Sequence, residues 1–328
     1  MNKRINTYLA VALTTYCNHQ CFYCKRGGES ISKKLQTIPF EILKNIVFNA
    51  YNIGIYNFRI TGGEPTSVEY FGKLLEYILS FKETKVRINT NGFKILENID
   101  ILKMYKERVD IVFSVDSISE NINGMHFPKY FSPFIQNLTD ELVNAEIPVR
   151  YNIVVTKINE EEVKNLVMQA IDKMRVNVKL LDLNRFSEYL WKGHIIYGEE
   201  AFDMWKKLYI PMRNFYPFLE KISDNSISEW TTKMIGKGNG IPMSVYFRKQ
   251  NWIQVKDSSR TPKYSKFCKE KCQYYIDGDC TEGVFSLFLS TDLTLHLSGC
   301  KNTNIYFNLS KCNDTQMKKY FNELLNLI

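Results

Sequence analysis

Three cysteines in one short segment, Cys17, Cys21 and Cys24, constrain this chain more than any other feature; they follow an apolar run over residues 8–13. Thiolates are the natural ligands of iron–sulfur clusters, and a cubane held by three of them leaves one iron open. A disulfide framework fits poorly, because the cysteines of this large chain are clustered and we find no signal peptide. Zinc fits less well, since structural zinc sites usually carry paired ligand sets. We expect His19 to be solvated or packed in the loop rather than to act as a fourth ligand.

A second motif, Gly62, Gly63, Glu64 and Pro65, follows the apolar residues 58–61. Two glycines at a strand end permit positive φ and close approach of the backbone to a ligand. Glu64 offers an acceptor for an ammonium group, and Pro65 ends the strand and stiffens the turn. An ordinary turn is the alternative, but the motif lies one βα unit after the cysteines, which makes coincidence a poor explanation.

The C-x-x-x-C-x-x-C spacing and the Gly-Gly-Glu-Pro turn resemble those of the radical SAM superfamily. The resemblance implies a 4Fe–4S cluster whose open iron is chelated by S-adenosylmethionine (SAM), with residues 62–65 binding the SAM amino group. Reductive cleavage of SAM would yield a 5′-deoxyadenosyl radical that abstracts hydrogen from carbon. The cofactor carries the difficult chemistry, and the protein supplies position and exclusion of water. An electron donor such as flavodoxin or ferredoxin is therefore expected.

Strand-like and helix-like segments alternate along the first half of the chain. Strands are predicted at residues 8–13, 57–61, 86–90, 109–115, 149–156 and 176–183, and helices at residues 39–51, 68–81, 95–105, 131–145 and 160–174. We interpret the strands as continuous Val, Ile and Leu runs, as expected when helices cover both faces of a parallel sheet. Six such units predict an α/β fold, a partial (β/α)6 TIM-like barrel, which is also the fold that the resemblance implies. Ligands then bind at the carboxyl ends of the strands.

Polar residues at the predicted strand ends are further candidates for SAM binding: Asn91, Ser114, Asp116 and Asn152. A strand-end Asn or Ser is equally often a helix cap or a turn former, and that alternative stays open. The resemblance favours Ser114 and Asn152 for the SAM carboxylate or ribose. It places the adenine near Tyr23, the backbone of residues 154–155 and residues 181–183.

The C-terminal region carries a second set of cysteines: Cys268, Cys272, Cys280 and Cys300. Residues 284–289 and 293–297 predict a β-hairpin with cysteines at its two ends. Four cysteines brought together in this way make a credible site for a second iron–sulfur cluster. A structural zinc knot is the competing interpretation. Cys312 is expected to be a free buried thiol.

The whole arrangement resembles the branch that contains the GTP 3′,8-cyclase of molybdenum-cofactor synthesis, whose C-terminal extension, called a Twitch domain, holds an auxiliary 4Fe–4S cluster. Residues 114–117, 149–155 and 236–240 look like landmarks of that branch. The basic residues that bind substrate in that branch are missing here. At the corresponding places this chain has Ala10, residues 66–69 and residues 286–288, none of which is basic. The chain also lacks the terminal Gly-Gly tail. Because the arginine fork suits phosphate oxygens, these losses argue against GTP as the substrate.

The predicted organisation has three parts: a radical SAM barrel over residues 1–185, a linker that covers the substrate over residues 186–265, and an auxiliary-cluster module over residues 266–328. The linker is rich in aromatic residues. Most of them should pack this segment, expected to be helical, against the barrel mouth, and some should line the substrate cavity. Four polar residues of the linker are possible substrate contacts: Lys192, His194, Arg248 and Lys249.

Composition limits the possible partners. No segment approaches the roughly 20 apolar residues of a membrane span, and eight cysteines without a secretory segment predict a reducing cytoplasm. The net charge of +8 is scattered, which favours a lysine-rich surface over nucleic-acid binding.

The leading hypothesis is a radical SAM enzyme acting on a small metabolite, such as a nucleotide, a sugar or an amino-acid derivative. Modification of a ribosomal peptide is the second; the chain starts almost directly at its first strand and has no recognition domain before it, which favours the small substrate. A noncatalytic iron–sulfur or zinc protein is a remote third.

Overall fold

The structure is a computed structural model, and it describes residues 5–24, 35–185, 188–191, 194–230, 241–260, 264–277, 283–284, 286–298 and 305–328. The strands are β1 (Ile5–Ala12), β2 (Ile55–Thr61), β3 (Lys85–Thr90), β4 (Val109–Ser114), β5 (Asn121–Ile122), β6 (Met125–His126), β7 (Val149–Val155), β8 (Asn177–Asp182), β9 (Glu188–Trp191), β10 (His194–Tyr197), β11 (Asn225–Trp230), β12 (Met243–Arg248), β13 (Asn251–Lys256), β14 (Leu287–Leu289), β15 (Thr294–Leu297) and β16 (Tyr306–Asn308). The helices are α1 (Phe40–Asn52), α2 (Phe71–Ser80), α3 (Ile99–Met104), α4 (Pro133–Asn144), α5 (Glu160–Met168), α6 (Gly198–Leu208), α7 (Tyr216–Ile222), α8 (Lys266–Lys271), α9 (Gln273–Ile276) and α10 (Asp314–Leu325). No helix in these ranges is long and apolar enough to cross a membrane.

A parallel sheet forms the centre of the fold, as predicted. Strands β1, β2, β3, β4, β7 and β8 lie side by side in chain order and are all parallel. Helices α1, α2 and α3 connect the first four strands, and α4 and α5 connect the last three. The mixed α/β fold with a large, mostly parallel sheet is therefore confirmed, while closure of this sheet into a partial barrel stays a prediction.

The start of the second helix shows how the Gly-Gly-Glu-Pro turn shapes the chain. The predicted helix over residues 68–81 begins at Phe71, because a 3₁₀ turn at Pro65–Ser67 precedes it. The Glu64 side chain caps that turn by accepting a hydrogen bond from the Thr66 amide. The motif thus separates β2 from α2 by a rigid turn.

The linker segment is not mainly helical, which corrects the prediction. It contains the hairpin β9–β10 and the strands β11, β12 and β13, besides helices α6 and α7. Strand β13 pairs in parallel with β8, so the segment extends the central sheet. The cause is a period-two pattern: Ile253 and Val255 are fully buried, and they alternate with the more polar Gln254 and Lys256.

The predicted C-terminal hairpin is confirmed by the pairing of β14 with β15, in which Leu287 faces Leu297. Strand β14 also pairs in parallel with β1, at the other edge of the six-stranded array. The C-terminal region therefore lies beside the strand that leads into the cysteine segment.

The two faces of the parallel sheet differ, which corrects the interpretation of continuous apolar runs. Side chains such as Val11, Ile60, Ile88 and Ile153 are fully buried against the helices. The alternate positions are only partly buried, because they point to the opposite side of the pleat. We call this opposite side the polar face; its members are Asn57, Arg59, Arg87, Asn89, Asp110, Ser114, Arg150, Asn152, Asn177 and Lys179.

Candidate functional site

The two motifs found in the sequence are joined by backbone hydrogen bonds. The Gly63 amide donates to the Thr14 carbonyl oxygen at 2.7 Å, and the Glu64 amide donates to the Tyr16 carbonyl oxygen at 2.7 Å. Tyr16 directly precedes Cys17 and Thr14 lies three residues before it, so the turn after β2 holds the start of the cysteine segment. The turn and the cysteine segment both lie at the carboxyl ends of the parallel strands, where ligands are expected in such sheets.

The glycines are required by this contact. Gly62 has a φ of +140°, and a Cβ atom there would lie 2.5 Å from the Thr14 carbonyl oxygen. A Cβ atom on Gly63 would overlap the Tyr16 carbonyl oxygen. The sequence predicted close approach of this backbone to a ligand, and the structure shows close approach to the cysteine segment itself.

The three thiols lie in a largely enclosed environment. Cys21 is buried, and Cys17 and Cys24 are partly buried. A hydrogen bond with the Cys21 thiol lowers the pKa of Cys24 to about 7 and, together with burial, raises that of Cys21. Burial raises the pKa of Cys17, whose sulfur accepts a hydrogen bond from the His19 amide at 3.4 Å.

These thiols suit a cluster better than a single ion. Within the described ranges, no three His, Cys, Asp or Glu side chains are arranged to hold one metal ion. A cubane bound by three thiolates uses a different iron atom for each, so its ligands need not converge on one point. Binding would replace the Cys21–Cys24 hydrogen bond by iron–sulfur bonds. The cysteine donors, their burial and the close-packed glycine turn fit that group.

Glu64 is buried and engaged by the protein itself. Its Oε1 accepts from the Thr66 amide at 3.0 Å, the Thr66 hydroxyl at 2.7 Å and the Thr90 hydroxyl at 2.6 Å, and its Oε2 accepts from the Asn91 amide at 2.7 Å. Oε2 accepts one hydrogen bond from the described residues, whereas Oε1 accepts three. Glu64 therefore ties the turn to the end of β3, and Oε2 is the less occupied of its two oxygens.

Asn91, at the end of β3, contacts the cysteine segment directly. Its Nδ2 donates to Asn18 Oδ1 at 2.8 Å and lies 3.9 Å from the Cys17 sulfur. Its Oδ1 accepts from the Phe93 amide at 3.1 Å, as a turn-forming asparagine does. Asn91 therefore shapes the turn and contacts the cysteine segment, while its role in SAM binding stays a prediction.

Asp116 links the cysteine segment to two strands. The Tyr23 hydroxyl donates to its carboxylate, and the Val154 amide donates to its Oδ1 at 2.7 Å. Burial raises the pKa of Asp116, and burial and the Asp116 charge raise that of Tyr23. The structure thus places Tyr23 beside the backbone of Val154, the two features expected near the adenine, and occupies its hydroxyl within the protein.

Lys129 is a site residue that sequence reasoning missed. Its ammonium group lies over the Tyr23 ring, 5.3 Å from the centroid. Burial lowers its pKa, but the charges of Cys21, Cys24 and Asp116 outweigh burial, so the pKa is raised. The residue lies in an irregular connection before α4 with no periodic pattern, and the only local signal is a lone lysine beyond a strand-end aspartate. A partly buried cation beside three thiols stabilises their ionised form.

Comparison with known proteins identifies this arrangement. A family profile described as "Radical SAM superfamily" matches residues 11–170, which include both motifs. The chain carries a radical SAM domain. The GTP 3′,8-cyclase of Alkaliphilus oremlandii is 28% identical over 64% of this chain and 67% of its own length; a probable GTP 3′,8-cyclase of Thermococcus kodakarensis is 26% identical over 66% of each. The chain thus matches about two thirds of the length of these relatives. The prediction of a radical SAM enzyme resembling this branch is confirmed.

Solved structures show the same fold. SuiB of Streptococcus suis, bound to S-adenosylmethionine, superposes with a TM-score of 0.60 at 15% identity, over 98% of this chain and 65% of that one. The protein anSMEcpe, with bound AdoMet and the Cp18Cys peptide, superposes with a TM-score of 0.56 at 13% identity, over 98% of this chain and 82% of that one. The likeness therefore extends beyond the radical SAM domain to nearly the whole chain.

Aromatic side chains of the linker wall the cysteine segment of the radical SAM domain. Cys21 and Phe22 belong to an apolar cluster with Tyr189, and Trp191 and Trp205 pack against it. The Phe22 and Trp191 rings meet edge to face with centroids 5.9 Å apart. Such packing limits the access of water to the thiols.

Four polar residues of the linker were predicted as possible substrate contacts. His194 is exposed, and Lys192 lies outside the described residues. Arg248 and Lys249 bind Asp172, at 2.9 Å and 2.7 Å. Both cations thus have a carboxylate partner on the helical turn after α5, and the interpretation of these two as substrate contacts stays a prediction.

Ser114 and Asn152 are neighbours in the sheet, and their role in SAM binding stays a prediction. They are paired across β4 and β7, and both belong to the polar face. The Asn152 Oδ1 is buried and has no hydrogen-bond partner among the described residues. The pair thus presents a hydroxyl and an unsatisfied amide near the ends of these strands.

The C-terminal cysteines are only partly within the described ranges. Cys268 and Cys272 are each 4% exposed; Cys268 lies in α8, and Cys272 is the residue that ends this helix. Cys280 and Cys300 lie outside the described residues. Cys312 is half-buried rather than buried, and its thiol donates to the Asn308 carbonyl oxygen at 3.3 Å.

Proposed function

We propose that this protein cleaves SAM reductively at a 4Fe–4S cluster held by Cys17, Cys21 and Cys24, and abstracts hydrogen from a small metabolite. The observation that carries the proposal is the contact between the two motifs. Gly63 and Glu64 are hydrogen-bonded to the residues directly before Cys17, so a ligand on the turn would also face the thiols. When bound, the cluster and SAM supply the radical that abstracts hydrogen.

The chain's own residues have distinct roles in this proposal. Glu64 Oε2 and the turn receive the SAM amino group, because Oε2 accepts one hydrogen bond from the described residues whereas Oε1 accepts three. Ser114 and Asn152 offer hydrogen bonds to the carboxylate or ribose. Lys129 balances the negative charge of thiolates and ligand. The wall around Phe22 limits entry of water, which strengthens these electrostatic interactions.

The finer architecture forms part of the proposal. Six adjacent parallel strands support a partial (β/α)6 barrel over residues 1–185. Cys268, Cys272, Cys280 and Cys300 would hold a second 4Fe–4S cluster in a Twitch-like module over residues 266–328, with a zinc knot as the alternative. The burial of Cys268, in α8, and of Cys272, directly after it, supports a metal site of either kind. A reducing cytoplasm and a donor such as flavodoxin or ferredoxin follow from cluster chemistry.

GTP is not the proposed substrate, although the curated relatives are named GTP 3′,8-cyclases. Where that branch carries basic residues, this chain has Ala10, residues 66–69 and residues 286–288, none of which is basic. A ribosomal peptide is the second candidate, because SuiB has also been solved bound to the precursor peptide SuiA, with a TM-score of 0.55 to this chain.

The test is anaerobic formation of 5′-deoxyadenosine by the reconstituted, reduced protein, with and without a cell extract passed through a small-pore filter. Stimulation by the filtrate supports a small metabolite. Stimulation only by the retained fraction favours a peptide. Absence of SAM cleavage under every condition contradicts the proposed activity and favours a noncatalytic protein.

A further inference from the structure

Lys129 belongs to a connection that folds back on the end of β4. The chain leaves β4, forms the short hairpin β5–β6 and returns, so that the Asp116 amide donates to the Lys129 carbonyl oxygen at 2.6 Å. Two residues further on, the Phe131 amide donates to the Ser117 carbonyl oxygen at 2.8 Å. These two hydrogen bonds fix the backbone of Lys129 beside the carboxyl end of a strand in the central sheet.

The same connection packs on the cysteine segment. The Phe127 and Phe22 rings meet edge to face, with their centroids 5.3 Å apart. The ammonium group of Lys129 lies over the Tyr23 ring, 5.3 Å from its centroid, and the Tyr23 hydroxyl donates to Asp116. A ring contact and a hydrogen bond on either side of Lys129 therefore hold its side chain against this segment.

Two of the three thiols belong to the turn that Lys129 contacts. Phe22 and Tyr23 stand between Cys21 and Cys24, and the Cys24 amide donates to the Cys21 carbonyl oxygen at 3.0 Å, which closes the turn. The side chain of a residue inside this turn, Tyr23, is the one under the ammonium group. The charge of Lys129 is thus held beside two of the proposed cluster ligands.

The ammonium group of Lys129 has no carboxylate partner. Among the residues that the structure describes, no carboxylate oxygen lies within ion-pair distance of its Nζ. A lysine that only packs its stem against a ring keeps its ammonium group in water, whereas Lys129 is partly buried. A cation withdrawn from water is costly unless negative charge joins it, and the Tyr23 ring recovers only part of that cost. The position therefore favours a negatively charged group next to the turn.

The charge of Lys129 acts on all three thiols. Burial raises the pKa of Cys17, and the charge of Lys129 opposes that rise. A hydrogen bond with Cys24 and burial raise the pKa of Cys21, and Lys129 opposes this rise as well. A hydrogen bond with Cys21 lowers the pKa of Cys24, and Lys129 lowers it further. Asp116 has the opposite effect on Cys21 and Cys24, so Lys129 supplies the favourable charge in this part of the structure.

A fixed positive charge beside an iron–sulfur cluster changes its reduction potential. A 4Fe–4S cubane held by three thiolates has a net negative charge, and one electron from a donor adds another unit of negative charge. A nearby cation interacts more strongly with the reduced form, so reduction becomes easier. The apolar cluster that contains Cys21, Phe22 and Phe127 limits screening by water and strengthens this interaction.

We propose that Lys129 raises the reduction potential of the cluster held by Cys17, Cys21 and Cys24, and so allows a one-electron donor such as flavodoxin or ferredoxin to reduce it. This rests on the part of the proposed function that assigns a cluster to these cysteines. The electron passes from the donor to the cluster, and Lys129 keeps its proton throughout. The lysine acts by its charge and makes or breaks no bond.

The test is an anaerobic redox titration of the reconstituted protein, followed by electron paramagnetic resonance in the absence of SAM. The signal that Cys21→Ala lacks belongs to this cluster. Its midpoint potential should be lower in Lys129→Met than in the wild type. At the wild-type midpoint the ratio of reduced to oxidised cluster should fall about tenfold, the order expected for one unit charge about 10 Å away at an effective dielectric constant of about 20. Because SAM is omitted, any role of Lys129 in SAM binding does not contribute.

Matched variants separate the charge of Lys129 from its packing. Lys129→Arg keeps the charge and the contact with the ring, and should retain most of the wild-type potential. Lys103→Met removes one charge from an exposed position on α3 and should change nothing. Circular dichroism and iron content show whether each variant is folded and loaded. If Lys129→Met fails either check, Lys129→Gln, which keeps a polar end group, replaces it in the comparison.

Equal midpoint potentials of the wild type and Lys129→Met overturn the proposal, and weakened SAM binding with an unchanged potential would assign the lysine to SAM instead. An equal fall in Lys129→Met and Lys129→Arg also overturns it, because the charge would then not be the cause. If no cluster depends on Cys21, the cluster assignment fails together with the proposal. If Lys129→Met lowers the potential but the wild type never cleaves SAM, the proposed activity fails while the role of Lys129 stands.

Discussion

The amide of Gly63 donates a hydrogen bond to the carbonyl oxygen of Thr14 at 2.7 Å, which joins the turn after β2 to the segment that carries the cysteines. The bond requires the two backbones to lie closer than any side chain would permit. One glycine position thereby couples the proposed cluster ligands to the proposed SAM-binding turn.

Gly63→Ala should disrupt both parts of the site. The added methyl group would overlap the Tyr16 carbonyl oxygen, so the cysteine segment must move; we expect a loss of about 1–3 kcal/mol in the free energy of unfolding and a large loss of bound iron. Urea unfolding and iron analysis measure the two effects. Gly72→Ala is the matched control, because the added methyl group there meets only the end of the Asn98 side chain, which can rotate away.

Cys21→Ala should abolish formation of 5′-deoxyadenosine. Cys21 is the most buried of the three thiols, and a cubane that loses one of its three protein ligands is not held in place. Cys312→Ala, which removes a half-buried thiol far along the chain, should leave the activity unchanged. Turnover by Cys21→Ala equal to that of the wild type would show that the cluster assignment is wrong.

Glu64→Gln should destabilise the turn. The carboxylate accepts four hydrogen bonds, and the amide group of glutamine would set a donor against at least one of those donors. A loss of about 1–3 kcal/mol is expected for the resulting buried mismatch. Glu69→Gln, at an exposed position close in sequence, is the control, and equal stability of the two variants would contradict this account.

Cys272→Ser should separate the two proposed clusters. The radical SAM cluster should remain spectroscopically intact, while about half of the bound iron is lost, because a four-cysteine cluster would lose a ligand. Iron analysis and electron paramagnetic resonance measure both. Unchanged iron content would argue against the auxiliary cluster, and loss of zinc instead would favour the zinc knot.

The ion pairs of Asp172 should make stability depend on pH. Hydrogen bonds from Arg248 and Lys249 hold the pKa of the Asp172 carboxyl below its usual value. The stabilisation is therefore present above the unfolded pKa of about 3.9 and is lost as the pH falls through the folded pKa. Asp172→Asn should cost about 1 kcal/mol at pH 7 and nothing in strong acid. A difference that persists unchanged in acid would show that packing, not charge, is responsible.

The local features of this protein were determined by its sequence. The cysteine spacing and the Gly-Gly-Glu-Pro turn depend on residues within a few positions of one another. The βα alternation and the C-terminal hairpin follow from periods of 3.6 and two, which short segments display by themselves. These patterns were sufficient to predict the class of enzyme and the carboxyl ends of the strands as its site.

Tertiary structure alone decided which distant residues complete that site. Thr90 and Asn91 donate hydrogen bonds to the Glu64 carboxylate from the end of β3, and Lys129 is brought to the thiols from an irregular connection. The strand partner of β8 turned out to be β13, from a segment predicted to be helical. Arg150 and Lys179 each look like an ordinary polar position in a strand; the register of the sheet places them on one face. Burial and opposing charge depend on neighbours distant in sequence, and only the folded chain brings those neighbours together.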